Sequence, residues 1–443
     1  MDFCSISFLY LFLPVSVVVY YTVPNKYKNI TLLMISLVFY SMAQPIWLLL
    51  LVASLGIDYI IAGWVAQQKN IGKQNRLAVG LAAVKAVLMI LITGVIYQIY
   101  GIAMPLGIQV YTLTALGYII DVYRGDTKHD ATIVEFGLFC CFFGKIFAGP
   151  ILIYTDFKQY LKEKEPSLSM MSSGLVTFVW GFAKQTLLAK GMSEVYGQLL
   201  AIPISEHSVI YAWSIVIAYT FSLYYMLSGF CDMARGLALI FSFKLPRNYY
   251  YPFQSRTVQD FFNHFNITFT KFVQKYVYLS LGGDNAGVAA TVANTLLTTI
   301  LMGLWFGIRL NLVLWGIYFT LFILLEKYLL KDLFRKIPPI FLRGYTFAVV
   351  IMSFTIFAAQ SMDRFLDLIK TMFGIGEVRL FTRPTLYVLS QNFWLFFICF
   401  LFSTSIADKI SSFLYKYIPI PTKIGSIIIN TIILIGATSF LLL

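Results

Sequence analysis

Groups able to exchange a proton near neutral pH are scarce in this chain: its 443 residues include three histidines, His129, His207 and His264. His129 (TKHD) and His207 (SEHS) lie in polar stretches and read as surface positions. His264 lies within NYYYPFQSRTVQDFFNHFNITFTKFVQKYVYLSLGGD, Asn248 to Asp284, where polar groups collect inside an otherwise apolar sequence. Its i−4 neighbour is Asp260. The ordinary reading is an ion-paired interfacial histidine; the sharper one turns the Asp260–His264 pair into a cavity, where it takes a proton from a hydroxyl. Asp232 and Arg235 stand one turn apart, either as structural glue or as an intramembrane functional pair. Arg309 is flanked by apolar residues three positions after Phe306. It reads either as a buried cation for an anionic donor or lipid headgroup, or as a base snorkelling to the interface. No G-x-S-x-G pattern occurs and no His/Cys/Asp cluster has metal-ligand spacing, so no metal or serine nucleophile is expected.

These residues need elements to hold them. From Gln259 to Tyr276, Phe261, Phe265, Phe269, Phe272 and Tyr276 recur every three or four positions, which predicts one helix with an aromatic face. A second stripe carries Gln259, Asn263, Asn266, Thr270 and Gln274, and a third carries Asp260, His264, Lys271 and Lys275. Such a helix does not span lipid; it lies at the interface or dips into the protein, lining something wet.

The surroundings are oily. The chain is 59% hydrophobic and 12% charged, with a mean hydropathy of +0.79, against roughly 25% charged in soluble domains. This predicts an all-α polytopic membrane protein read as a single multi-pass domain over 1–443. Apolar runs near 6–23, 29–43, 46–66, 77–98, 131–150, 170–190, 208–228, 286–304, 308–330, 342–360, 388–406 and 424–442, with the helix between Met104 and Asp126, give about eleven or twelve crossings plus re-entrant and interfacial amphipathic helices. MDRFLDLIKTMFG, with Phe365, Leu368, Ile369 and Met372, is one of the interfacial helices. The net charge of +13 sits in short loops between apolar runs, as lipid anchors and topology signals do, which excludes nucleic acid as the partner. Lys26 and Lys28, then Lys69, Lys73 and Arg76, make the first and third loops cytoplasmic and the N-terminus extracytoplasmic in a plasma membrane. Cys4, Cys140, Cys141, Cys231 and Cys399 sit in or beside apolar runs and read as small buried hydrophobes.

DFFNHFNITFTKFVQKYVYLSLGG and GLWFGIRLNLVLWGIYF (Gly303 to Phe319) resemble two motifs of the bacterial membrane-bound O-acyltransferases (MBOAT), nearest the branch that acetylates alginate-like polysaccharides and the one that loads D-alanine onto teichoic acids. MPLGIQVYTLTALGYIIDVYRGD, AGPILIYTDF and YYMLSGFCDMARGLALIFSFKLPRNYYYPF are similar to further family segments, placing an MBOAT-like core at about 100–320. The frame is kept at Trp305, Gly307, Asn311, Leu314, Trp315, Gly316 and Tyr318. The resemblance puts the family's first motif histidine at Asn266, its catalytic histidine at Phe306 and the last histidine of that motif at Phe319.

What the resemblance implies is an MBOAT fold and an O-acyl transfer, from a donor reached from the cytoplasm to a hydroxyl of an extracytoplasmic glycan or cell-surface polymer. The donor would be an acyl-CoA or acyl-carrier thioester, with no bound cofactor. Partners would be membrane lipids, an acyl donor protein and an extracytoplasmic glycan-modifying protein. A general base in reach of the hydroxyl contributes roughly 10²–10⁴ in rate, and Phe306 has neither lone pair nor proton. Candidate catalytic residues are therefore Asn266 and His264; candidate substrate-binding residues are Asp232, Arg235, Asp260, Trp305, Arg309 and Trp315. The alternative is a catalytically silent relative that binds lipid or polymer, or assembles with an active protein of the same pathway.

Overall fold

The computed structural model describes residues 2–72, 75–147, 149–162, 167–359, 362–417 and 422–442. Lys73 and Ala148, which the sequence reading used, lie outside them. Helices carry the architecture; the two β-bridges, Ser208 with Arg379 and Tyr249 with Phe265, are isolated pairs. Among the described residues five helices are long and apolar enough to cross a bilayer: Pro45–Asn70, Arg76–Tyr100, Val209–Ile240, Leu310–Leu329 and Pro339–Ala358. Arg383–Gln391 and Phe393–Phe402, bent by 60° at their junction, make a sixth if taken as one broken span. Phe8–Thr22, Val288–Leu304 and Ile427–Leu441 are apolar but shorter. The chain is an all-α polytopic membrane protein.

That tally of full-length spans is smaller than the eleven or twelve apolar runs, and the reason lies in the backbone. Lys28–Ala43 has 16 residues, about 24 Å at 1.5 Å per residue, against a hydrocarbon layer of about 30 Å. The run near 131–150 divides at Phe142, whose extended backbone (φ −49°, ψ 122°) separates Ile133–Cys141 from Phe143–Ile146.

The described residues group into two compact units, Met1–Gly181 with Phe230–Arg247, and Phe182–Gly229 with Asn248–Leu443. In the first, polar side chains close the gaps where helices stop. Gln44 precedes Pro45 and uses both ends of its amide on the loop between Arg76–Tyr100 and Ile108–Arg124, donating to Met104 O (3.0 Å) and accepting from Leu106 N (2.6 Å). Asp58 is buried and paired with Lys85 at 2.5 Å. Gly174 and Gly236 face each other at a helix crossing: a Cβ on Gly174 would stand 2.7 Å from Gly236 O, the small-residue contact that lets membrane helices approach. Asp232 and Arg235 bond each other at 3.0 Å on one helix face. His129 is half-buried, not a free surface residue. Its Nδ1 lies 3.0 Å from the Tyr118 hydroxyl and its ring packs on Tyr59, so burial holds its pKa below the usual value.

In the second unit Val288–Leu304 and Leu310–Leu324 form a tight hairpin. Gly303 and Gly316 set its spacing: an added Cβ at Gly316 would meet Ile300 Cα at 2.6 Å, and one at Gly303 would meet Leu312 O at 2.2 Å. Thr299 and Thr320 share a hydrogen bond of 2.6 Å across it. Gly316→Ala should therefore lower stability by roughly 1–3 kcal/mol, the usual cost of forcing an extra methyl into a packed contact. Gly344→Ala, with nothing within 4 Å of its added Cβ, should not. Thermal unfolding of both variants in detergent checks this, and equal midpoints would refute it.

Candidate functional site

The segment expected to be one helix from Gln259 to Tyr276 is two, Val258–His264 and Ile267–Val273, followed by a π-helical turn over Gln274–Tyr278. Phe265 is extended (φ −116°, ψ 117°) and Asn266 is left-handed (φ 53°, ψ 52°). Asparagine tolerates that conformation better than other non-glycine residues, and the fold holds it there. The buried Asn248 amide donates to Asn266 Oδ1 (3.0 Å), while its own oxygen accepts from Thr268 N and Thr268 Oγ1 (both 2.9 Å). The backbone joins in: Tyr250 N donates to His264 O (3.0 Å) and Ile267 N to Asn248 O (2.9 Å). Peptide groups that the break would otherwise leave in an apolar interior find partners in these bonds. The correction is physical. Periodicity reports which faces are apolar, and says nothing of an asparagine eighteen residues upstream that competes for the backbone.

The first helix is fixed at its start. Thr257 Oγ1 accepts from Asp260 N (3.0 Å), Asp260 Oδ2 accepts from Arg256 N (3.0 Å), and both oxygens of the buried Glu326 accept from Val258 N (2.9 and 3.0 Å). Glu326 carried no signal in the sequence beyond an acid at the end of an apolar run before a basic loop.

Gln259, Asn263, Thr270 and Gln274, four of the five residues of the amide stripe, line a cavity of about 600 Å³. Thr295, Thr298 and Thr299 on the neighbouring hairpin face it as well, with Tyr278, Asp284, Glu326, Lys327 and Lys331 as its titratable groups. The expectation that this stripe faces a polar space holds. Asn266, its fifth member, is spent on the Asn248 clasp. Asp284 accepts from the Tyr278 hydroxyl and from Lys327, and these bonds hold its carboxyl below the usual range. Among the described residues no group of three or more His, Cys, Asp or Glu side chains is placed to hold a metal.

His264 is not among the residues lining that cavity. Its Nδ1 lies 2.8 Å from Asp260 O and 3.3 Å from Asp260 Oδ1, and its ring stacks loosely on Tyr250. Phe306 sits among aromatic rings: centroids at 5.6 Å to Phe357, 6.1 Å to Trp315 and 6.4 Å to Phe265. Phe319 packs on Trp315 (4.6 Å) and Phe262 (4.9 Å). The three positions that the resemblance assigns to histidines are thereby drawn towards one another, with Phe265 next to Asn266 and Trp315 between Phe306 and Phe319. Trp315 is buried, and its indole N–H has no hydrogen-bond partner among the described residues. Trp305 packs on Phe269 at 4.4 Å.

Of the two readings of Arg309, the buried cation on the face of Phe306 is not what the structure holds; its exposure fits the other, a base reaching for the interface. The helix ends at Leu304, the chain turns through Gly307 (φ +139°), and Arg309 is an exposed residue with extended backbone preceding Leu310. Helical spacing does not carry across that turn.

Two outcomes test this geometry. Asn248→Ala removes three hydrogen bonds in a buried setting, so stability should fall by about 2–3 kcal/mol, read as a lower thermal midpoint. Asp284 has a depressed pKa, so its contribution exists above the unfolded carboxylate pKa and fades as pH falls through the lower folded value. Its side chain is 62% exposed, so screening keeps the contribution under about 1 kcal/mol. Asp284→Asn should lower the midpoint slightly at pH 7 and leave it unchanged once the wild-type carboxyl is protonated.

Comparison with known proteins places this geometry. The model of the membrane-bound O-acyltransferase family matches residues 126–369, which include both helices of the clasp and the whole aromatic cluster. The chain is 31% identical over 381 residues to a probable alginate O-acetylase of Pseudomonas fluorescens, covering 85% of this chain and 76% of that protein. It is 26% identical over 421 residues to a peptidoglycan O-acetyltransferase of Helicobacter pylori, covering 84% and 80%. A teichoic acid D-alanyltransferase of Streptococcus thermophilus is 24% identical over 231 residues, 48% of this chain and 54% of that protein. By the family model and by these relatives, the chain belongs to the membrane-bound O-acyltransferase family.

Proposed function

We propose that this protein serves O-acylation, most simply acetylation, of hydroxyls on an extracytoplasmic glycan or cell-surface polymer. The observation that carries the reading is the polar cavity built by the amide stripe and the threonine face of the hairpin, inside the region shared with relatives named as O-acetylating enzymes. The donor is a thioester, acyl-CoA or an acyl-carrier protein, and the mature acceptor is finished with an extracytoplasmic glycan-modifying partner. The N-terminus faces the extracytoplasmic side. Transfer requires that the acceptor oxygen attack the thioester carbonyl carbon while its proton passes to a base and the thiolate leaves. Asn266 is a positioning residue through its clasp, and Asp260 and Trp305 shape the surroundings.

One observation favours a second reading. Phe306 is packed by three rings, with no titratable group among its ring contacts. A relative with its base position filled in this way binds donor or polymer without turning it over, and works beside an active enzyme of the same pathway.

The test is acyl transfer by the purified protein from labelled acetyl-CoA and acyl-carrier thioesters to alginate and peptidoglycan oligomers. His264→Ala, Glu326→Gln and Phe306→His are run alongside. The first reading expects wild-type turnover, lost about 10²-fold or more in the variant that removes the base. Loss with Glu326→Gln, which keeps an acceptor for Val258 N, places the base in the cavity; loss with His264→Ala places it on the Asp260–His264 pair. Wild-type silence with turnover in Phe306→His supports the second reading. Silence of every variant beside an active relative overturns the first.

A further inference from the structure

A second cavity, of about 210 Å³, lies in the same unit and has no part in the reading above. Its floor is apolar and buried: Ile202, Tyr211, Ile215, Ala358 and Ala359 are each less than a tenth exposed. Its rim is charged and polar. Arg364, Asp367 and Thr371 line it from successive turns of Met362–Met372, with Leu368 between them, so one face of this amphipathic helix turns to the cavity. His207 closes the opposite side, its ring stacked on Tyr211 at 4.0 Å. On sequence this histidine reads as a surface residue; it is half-buried, and burial holds its pKa below the usual value. Its Nε2 bonds Ile202 O at 3.2 Å, which assigns the proton to Nε2 and leaves Nδ1 as an acceptor.

The cavity is prebuilt. Val209 N and Ile210 N donate to Arg379 O (3.0 Å) and Leu380 O (3.1 Å), and Thr382 Oγ1 donates to Glu206 O (2.8 Å), which fixes the loop that carries His207. Trp213 Nε1 donates to Met372 O (3.1 Å) and ties down the end of the amphipathic helix. Tyr196 donates to Ala358 O (3.1 Å) at the floor. The cavity also has a definite depth. Val209 begins one membrane span and Ala358 ends another, so it sits where spans emerge, at headgroup level. Beside it Ile204 is 85% exposed and Leu200 41% exposed, a lipid-facing lip.

We propose that this cavity is a binding site for a zwitterionic phospholipid whose headgroup carries a primary ammonium, of the phosphatidylethanolamine type. The rim complements that headgroup charge for charge. Arg364 donates to the phosphate oxygens. Asp367, the Thr371 oxygen (its hydrogen is given to Asp367 O at 2.8 Å) and His207 Nδ1 accept from the ammonium. The apolar floor takes the first methylenes of the chains. A choline headgroup has no N–H for the acceptors, and a glycerol headgroup offers Asp367 no cation. The site depends on membrane insertion and not on acyl transfer.

The test uses the full-length protein in nanodiscs of equimolar phosphatidylethanolamine, phosphatidylcholine and phosphatidylglycerol, released into detergent, with retained lipid quantified by native mass spectrometry. Wild type should retain one phosphatidylethanolamine in preference to the other two. Arg364→Ala should lower that retention about tenfold, the factor that one charge-assisted hydrogen bond carries. Asp367→Ala should shift the preference towards phosphatidylglycerol. Both side chains are exposed at the rim, so thermal midpoints should match wild type, and Asp367→Asn repeats the charge removal with less change of shape. Equal retention of the three lipids by wild type overturns the proposal, as does a wild-type preference for phosphatidylglycerol. Phosphatidylethanolamine retention unchanged in both variants overturns it too.

Discussion

The clasp between Asn248 and the Phe265–Asn266 break is the constraint on which the rest of the second unit depends. In a chain this apolar, a peptide group left unpaired costs several kcal/mol and finds little water to relieve it. A helix can be interrupted only where something else takes over its hydrogen bonds. Here one side-chain amide and two backbone bonds do so. Because the break is satisfied, the amide stripe stays on the cavity side while Phe265 turns to the aromatic cluster.

The cavity and the aromatic cluster then represent two solutions to the same problem of filling space beside a broken helix. Where the hairpin offers threonines, the space is polar and lined by amides. Where it offers Trp315 and Phe319, the space closes with rings. Phe306 falls on the closed side. Phenylalanine supplies volume and no proton chemistry there, and the surrounding rings pack against it at ordinary aromatic distances. The neighbouring Trp315 N–H is the remaining polar function in that cluster. Glu326 ties the cavity to the fold: as a buried carboxylate it secures the start of Val258–His264, and it also faces the open space. Polarity in this part of the molecule therefore serves architecture first, and whatever chemistry takes place is built on groups that also hold the backbone.

A good deal was legible beforehand. Hydropathy alone placed the chain in a bilayer and located the helices later found at Pro45–Asn70, Arg76–Tyr100 and Leu310–Leu329, because a bilayer leaves little choice for apolar runs of that length. The 3.6-residue period at Gln259 to Gln274 identified which side chains face a polar space, since that depends on which residues water or ligands tolerate and survives a change in helix direction. Motif glycines at Gly303 and Gly316 were visible as a pattern, though the pattern did not say that two helices meet there.

Composition, the order of apolar and polar runs, and the resemblance of local motifs pointed to the fold class and the family; each is a property of residues close in the chain. Tertiary structure decided the rest. It broke the helix at Asn266 through a residue eighteen positions away, exposed Arg309 by turning the chain at Gly307, and brought Glu326 to Val258 across 68 residues. It also placed His207, Arg364 and Asp367 around one pocket, where the sequence showed only a polar loop. The difference has one cause: side-chain period reports the environment of a single element, whereas the pairing of distant polar groups is set by which elements the packed chain brings together.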